Sequence, residues 1–135
     1  MVRLGESHYL QMVGHCYDGL PLEACGLLAG DPVTGKVERC YPTGNEAASA
    51  KLYTIPGKEY LRADRDADDH GWQIIGVFHS HTHTEAYPSP TDVAQAPDPS
   101  WHYVLVSLKH EAPVVRSYRI VDGKIDEEPV VVERR

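Results

Sequence analysis

The chain has 135 residues, 41% hydrophobic and 24% charged, with a net charge of −7. That length fits one domain, residues 1–135, large enough to bury a core without staples. The acidic balance excludes nonspecific nucleic-acid binding and docking on anionic membranes, which both need a basic face; no apolar run is long enough to span a bilayer, and the N-terminal segment, with Glu6 and His8, lacks the apolar stretch of a signal peptide.

Along the chain, Leu10, Val13 and Tyr17 recur at helical spacing, which predicts a helix over 6–18 with Ser7 as its cap. Gly19-Leu20-Pro21 ends it. The apolar run from Ala24 to Gly30 reads as a strand, and the turn residues Asp31-Pro32 and Thr34-Gly35 return the chain into a second strand, Lys36–Tyr41. Residues 42–55 read as a loop with a short strand at Leu52–Ile55. Tyr60, Leu61, Asp64 and Ala67 predict a helix over 57–70, with a solvated charged face. A buried strand follows at 73–79. A short helix is expected from Pro90 to before Pro97, and Trp101–Leu108, apolar on both faces, is a central strand. Val114–Val121 and Lys124–Val132 flank Asp122-Gly123, a two-residue hairpin signal. The pattern is α/β: a mixed β-sheet with helices on both faces.

The cysteines, Cys16, Cys25 and Cys40, are odd in number and form no CxxC pair. They read as reduced, buried thiols; a nucleophilic Cys25 is the sharper alternative, and its apolar setting, ACGLLAG, argues against activation.

The chemistry concentrates in HSHTHTEAYPSPTD, residues 79–92. His79 and His81 are two apart at the end of a strand, so their rings share one face. Two imidazoles with the carboxylate of Asp92 form a donor set suited to Zn2+, and three protein ligands leave a fourth position open, as catalytic zinc requires. Ser89-Pro90-Thr91-Asp92 is also a helix start, with Ser89 at the N-cap, proline at the first helical position and an acid two residues later. A coordinating Asp92 is expected to give up part of its role as the reciprocal cap. His83 continues the alternation and makes a three-histidine site conceivable; Asp92 is preferred, with His83 near the mouth. Zinc hydrolysis also needs a proton carrier. Glu23, just before the first strand, is a candidate that residue type alone does not separate from Glu46, Glu59 and Glu85.

Taken together, PLEACGLLAG (21–30) and HSHTHTEAYPSPTD (79–92) resemble the JAMM (MPN-plus) zinc metallopeptidase family, whose pattern is an upstream glutamate, then H-x-H, seven residues, serine, two residues, aspartate. HYVLVS (102–107) and RSYRIVDGKIDEEPV (116–130) extend the resemblance over nearly the whole chain, toward a bacterial branch that releases cysteine from a small ubiquitin-like sulfur-carrier protein. The resemblance implies a cytidine-deaminase-like JAMM/MPN domain and a cytoplasmic peptidase of cysteine biosynthesis. It implies that His79, His81 and Asp92 hold zinc, that Glu23 shuttles the proton of the attacking water, and that Ser89 donates to the oxyanion. The partner would be a carrier whose C-terminal Gly-Gly bears the cysteine, its extended tail lying beside a sheet edge. Tyr53, Thr84, Tyr87 and the 42–55 loop are candidates for lining that groove. Ser80, between the histidines, should face away from the metal. Ala50 departs from the proline expected after Ser49.

Three other readings compete. A JAMM-type deubiquitinase-like isopeptidase would act on another ubiquitin-like modifier, but this compact chain lacks room for the insertions that grip a second ubiquitin. A cupin-type metal oxygenase would use Glu85 with the two histidines, but the glycines of that motif are missing, with glutamine at 73 and aspartate at 92. A non-catalytic MPN-type scaffold typically loses ligands, and this chain keeps all of them.

Overall fold

The computed structural model describes residues 1–134. Its main sheet has six strands. β2 (Cys25–Gly30) pairs antiparallel with β3 (Val37–Thr43) on one side and with β4 (Gln73–His81) on the other. β4 runs parallel to β5 (His102–Ser107), and β6 (Val114–Val121) and β7 (Lys124–Glu128) complete the order β3-β2-β4-β5-β6-β7. The single parallel pair makes the sheet mixed, as the alternation of helices and strands predicts. Asp122 and Gly123, both at positive φ, close the β6–β7 hairpin.

A second, two-stranded parallel sheet joins β1 (Val2–Gly5) to β8 (Val130–Glu133). Neither strand is expected from the sequence as a separate element. Lys124–Val132 was expected to be one strand; it breaks at Pro129, whose carbonyl accepts from the Val2 amide, and the continuation leaves the main sheet for β1.

Side-chain alternation on β2 and β4 sends consecutive residues to opposite layers. Leu28 and Phe78 pack under α1 (Glu6–Gly19) with Met12, Val13 and Cys16. Leu27 and Val77 pack on the other face with Ala63 of α2 (Gly57–Asp69), Tyr103 and Ile120. Helices therefore cover both faces. The expected α1 stripe is off by about a quarter turn: Leu10 and Tyr17 are exposed, and the buried edge is Met12, Val13 and Cys16. The N-cap is Gly5 and not Ser7, because β1 runs directly into the helix. Leu52–Ile55 forms no strand. A Cβ at Gly26 would lie 2.3 Å from the Phe78 ring, so glycine there lets the ring fill the core beside the end of β2.

The same alternation decides the site. His79 and His81 follow Val77 onto the α2 face, while Ser80 follows Phe78 to the other. No helix among the described residues is long and apolar enough to cross a membrane.

Candidate metal centre and active site

β4 extends two residues past its expected end, so both histidines lie within the strand and are buried, 2% and 4% exposed. Asp92 comes from α3 (Pro90–Ala94), which begins at the Ser89 N-cap. His79 Nε2, His81 Nε2 and Asp92 Oδ2 converge. The two ring nitrogens are 3.2 Å apart, and Oδ2 lies 3.2 Å from His79 and 2.9 Å from His81. Donors around a tetrahedral zinc ion with bonds of ~2.0–2.2 Å sit about 3.3–3.6 Å from one another, so the three could hold one ion after moving apart by a few tenths of an ångström. His83 is exposed and does not join them.

Asp92 does not have to choose between capping and ligation. Its Oδ2 accepts the Ser89 N–H at 2.9 Å while facing both rings, and its own N–H donates to Ser89 Oγ at 3.1 Å. The expected competition fails because one carboxylate oxygen has lone pairs for both. The cap holds the carboxylate in place, and Ser89 uses only its lone pair, which leaves its hydroxyl proton free.

The two imidazoles are oriented differently. His81 Nδ1 lies 2.8 Å from the Glu85 carbonyl oxygen; a carbonyl can only accept, so Nδ1 carries hydrogen and Nε2 is the nitrogen available to a metal. His79 Nδ1 is buried without a partner. Its ring stacks instead on Tyr53, with centroids 4.2 Å apart and planes 22° apart. Burial holds His79 below its ordinary pKa. Burial also works to lower His81, but the Asp92 hydrogen bond and the Glu85 carbonyl outweigh it and the net shift is upward. Asp92 itself, despite burial, is held well below the usual carboxylate range by the two rings.

Glu23 is separated from the other acids by its surroundings. It is 5% exposed, and Oε1 is buried with no hydrogen-bond partner. Burial pushes its pKa up to about 7, with His81 opposing and Asp92 reinforcing. Its backbone is fastened on both sides: the N–H donates to Ser49 O at 2.8 Å, and the carbonyl accepts from Asn45 Nδ2 at 3.0 Å. Asn45 also ties the loop to Leu52 and Thr54. Next along the chain, the Ala24 N–H donates to Ser80 Oγ at 2.8 Å, so Ser80, facing away from the metal group, locks β2 against the histidine strand. Glu46 is exposed, Glu59 accepts from the Gly44 amide, and Glu85 pairs with His110 and Lys109 at the surface. The cupin arrangement is thereby overturned: Glu85 is not with the histidines, and the fold is not an all-β barrel.

Glu23, His81 and Ser89 line one cavity of about 380 Å³ together with Ala50, Lys51, Thr82, His83 and Thr84. Tyr53 lines a neighbouring apolar groove with Ile55, Tyr60 and Trp101. Tyr87 lines neither; it is exposed and meets Tyr118 edge-on. Two features were missing from the sequence reading: the Tyr53 stack and the Asn45 fastening. A loop's sequence carries no periodicity that fixes its distance from a strand end. Cys25 is fully buried and its thiol is pushed up to about 11 by burial, which fits an inert thiol.

Comparison with known proteins gives a consistent picture. A family model described as prokaryotic homologs of the JAB domain matches residues 5–121. The chain is 46% identical over 128 residues to the CysO-cysteine peptidase of Mycobacterium tuberculosis, covering 91% of this chain and 86% of that protein. The solution structure of protein DSY2949 from Desulfitobacterium hafniense superposes with a TM-score of 0.91 at 36% identity, over 100% of this chain and 94% of that one. A structure described as JAMM, a metalloprotease-like zinc site in the proteasome and signalosome, shares the fold at a TM-score of 0.62 and 14% identity, over 98% of this chain and 97% of that chain. The chain belongs to the JAMM (MPN-plus) zinc metallopeptidase family, among its prokaryotic JAB-domain members.

Proposed function

We propose that the protein hydrolyses the amide bond after the C-terminal Gly-Gly of a ubiquitin-like sulfur-carrier protein and releases cysteine from it. The observation that carries this reading is Glu23: a buried carboxylate with an unpartnered oxygen, in the wall of the cavity that also holds His81 and Ser89. His79, His81 and Asp92 are the residues that would hold zinc. When bound, the ion supplies a Lewis acid and an acidified water. Glu23, with a pKa near neutrality, takes the proton of the attacking water and passes it to the leaving nitrogen. The water oxygen adds to the carbonyl carbon, the C–N bond breaks, and the carrier leaves with a free C-terminal carboxylate and the cysteine with a free amine. Ser89, anchored as the N-cap, turns its unused hydroxyl proton toward the carbonyl oxygen as that oxygen gains charge.

The 46% identity to the mycobacterial CysO-cysteine peptidase supports the carrier and the cysteine in this reading. Three free, buried cysteines support a reducing, cytoplasmic setting. The test is mass spectrometry of a CysO–cysteine conjugate incubated with the protein, with and without a chelator. Chelator-sensitive loss of one cysteine residue is expected; an intact conjugate at full zinc occupancy would overturn the reading.

A further inference from the structure

The cavity beside the metal group carries a positive charge that the chemistry above does not use. Lys51 lies in the wall that also contains Glu23, Ser89 and Thr84. It is exposed and, like Lys58, makes no ion pair among the described residues; of these two only Lys51 lines the cavity, and Lys36, Lys109 and Lys124 each face a carboxylate. Its backbone is held in place at the cavity wall. The Lys51 N–H donates to Ser49 Oγ at 3.0 Å, and the preceding Ala50 carbonyl accepts at 3.4 Å from Oγ1 of Thr82, the first residue after β4. The Ser49 carbonyl in turn holds the Glu23 amide. The same short loop therefore holds the Glu23 backbone and the Lys51 backbone side by side at the cavity wall. An unpaired cation at the mouth of a cavity, on a chain of net charge −7, has a definite electrostatic preference.

We propose that Lys51 is a specificity residue that binds the free α-carboxylate of the released amino acid, so that the cavity selects a C-terminal residue over an isopeptide-linked lysine. This rests on the peptidase reading above. The leaving side of a carrier–amino acid conjugate is one residue ending in a carboxylate, and a cavity of about 380 Å³ accepts it without a folded partner. The leaving side of an isopeptide is a lysine side chain flanked by neutral backbone amides, and it offers Lys51 nothing to pair with. A charge-assisted contact of this kind favours the acid about tenfold over a neutral isostere.

The experiment compares kcat/KM for a CysO–cysteine conjugate and for its cysteinamide counterpart, which lacks only the terminal charge. The native enzyme is expected to prefer the acid about tenfold, mainly through KM. Lys51→Met is expected to bring the acid-to-amide ratio near one, Lys51→Glu to invert it, and Lys51→Arg to keep it. A ratio that none of these changes, or a native ratio near one, would overturn the assignment of Lys51 while leaving the peptidase intact. Cleavage of neither conjugate by the zinc-loaded native enzyme would remove the peptidase reading and this assignment together.

Discussion

Glu23 and Glu128 are the same residue type, buried to the same degree, with opposite fates. Glu128 is 8% exposed and surrounded: Oε1 accepts from the Met1 amine at 2.6 Å, and Oε2 faces the His102 ring at 2.7 Å and accepts from Ser117 at 2.8 Å. Burial works to raise its pKa, but these partners carry it down to about 2. Glu23 has no such company, and burial drives it up to about 7. A carboxylate that ties β5, β6, β7 and the N-terminus together is satisfied on every side. Glu23, the proposed proton carrier, is left with an unsatisfied oxygen, at a cost in stability.

Replacing each carboxylate is the way to break this contrast. Glu23→Gln should lower peptide cleavage about a thousandfold, the scale of a lost general base, while zinc content measured by atomic absorption stays at one per chain. A variant retaining full activity would remove Glu23 from its role. Glu128→Ala should leave cleavage chemistry alone and destabilise the fold by about 3 kcal/mol at neutral pH, the worth of a carboxylate moved from 4.5 to about 2, as the Met1 amine, the His102 ring and the Ser117 hydroxyl lose their buried acceptor. Because the folded pKa of Glu128 is depressed, its contribution is present above its ordinary value of 4.5 and fades as pH falls through about 2. Urea midpoints of variant and native protein should therefore converge in acid, and a constant gap would argue for lost packing alone.

The sign reverses for Glu23. Its folded pKa is raised, so the folded protein holds a proton that the unfolded chain has lost between pH 4.5 and about 7, and stability falls as pH rises through that window. In chelated protein, Glu23→Gln should be neutral below pH 4.5 and stabilising by about 3 kcal/mol at pH 8. An equal effect at both pH values would mean that the carboxylate is not desolvated. The smallest effect expected is at the metal group. Because the Tyr53 face, and no hydrogen bond at Nδ1, steadies the His79 ring from behind, Tyr53→Leu should weaken zinc binding about tenfold and Tyr53→Phe should not. Competition with a fluorescent chelator measures both, and equal losses would point to the phenol hydroxyl.

The metal group was the most legible part of the chain because period-two spacing on a strand and a Ser-Pro-x-Asp helix start are local rules, and both elements obey them. The six strands of the main sheet were legible for the same reason. The β1–β8 sheet was not: each strand has four residues, and they pair in parallel across nearly the whole chain, so no turn or periodicity announces them. The α1 face was misread because Val13 belongs both to the stripe with Leu10 and Tyr17 and to the stripe with Met12 and Cys16; only the sheet beneath decides between them. Glu23 could be named by resemblance, but its placement depends on Asn45, Ser49 and Ser80, which come from distant segments.

Anomalous diffraction at the zinc edge from crystals of zinc-loaded protein tests the central claim most directly. The account predicts one peak within bonding distance, ~2.0–2.2 Å, of His79 Nε2, His81 Nε2 and the Asp92 carboxylate, with Glu23 beside the ion and not bonded to it. A peak elsewhere, or one in which Glu23 replaces Asp92 as the third ligand, would contradict it.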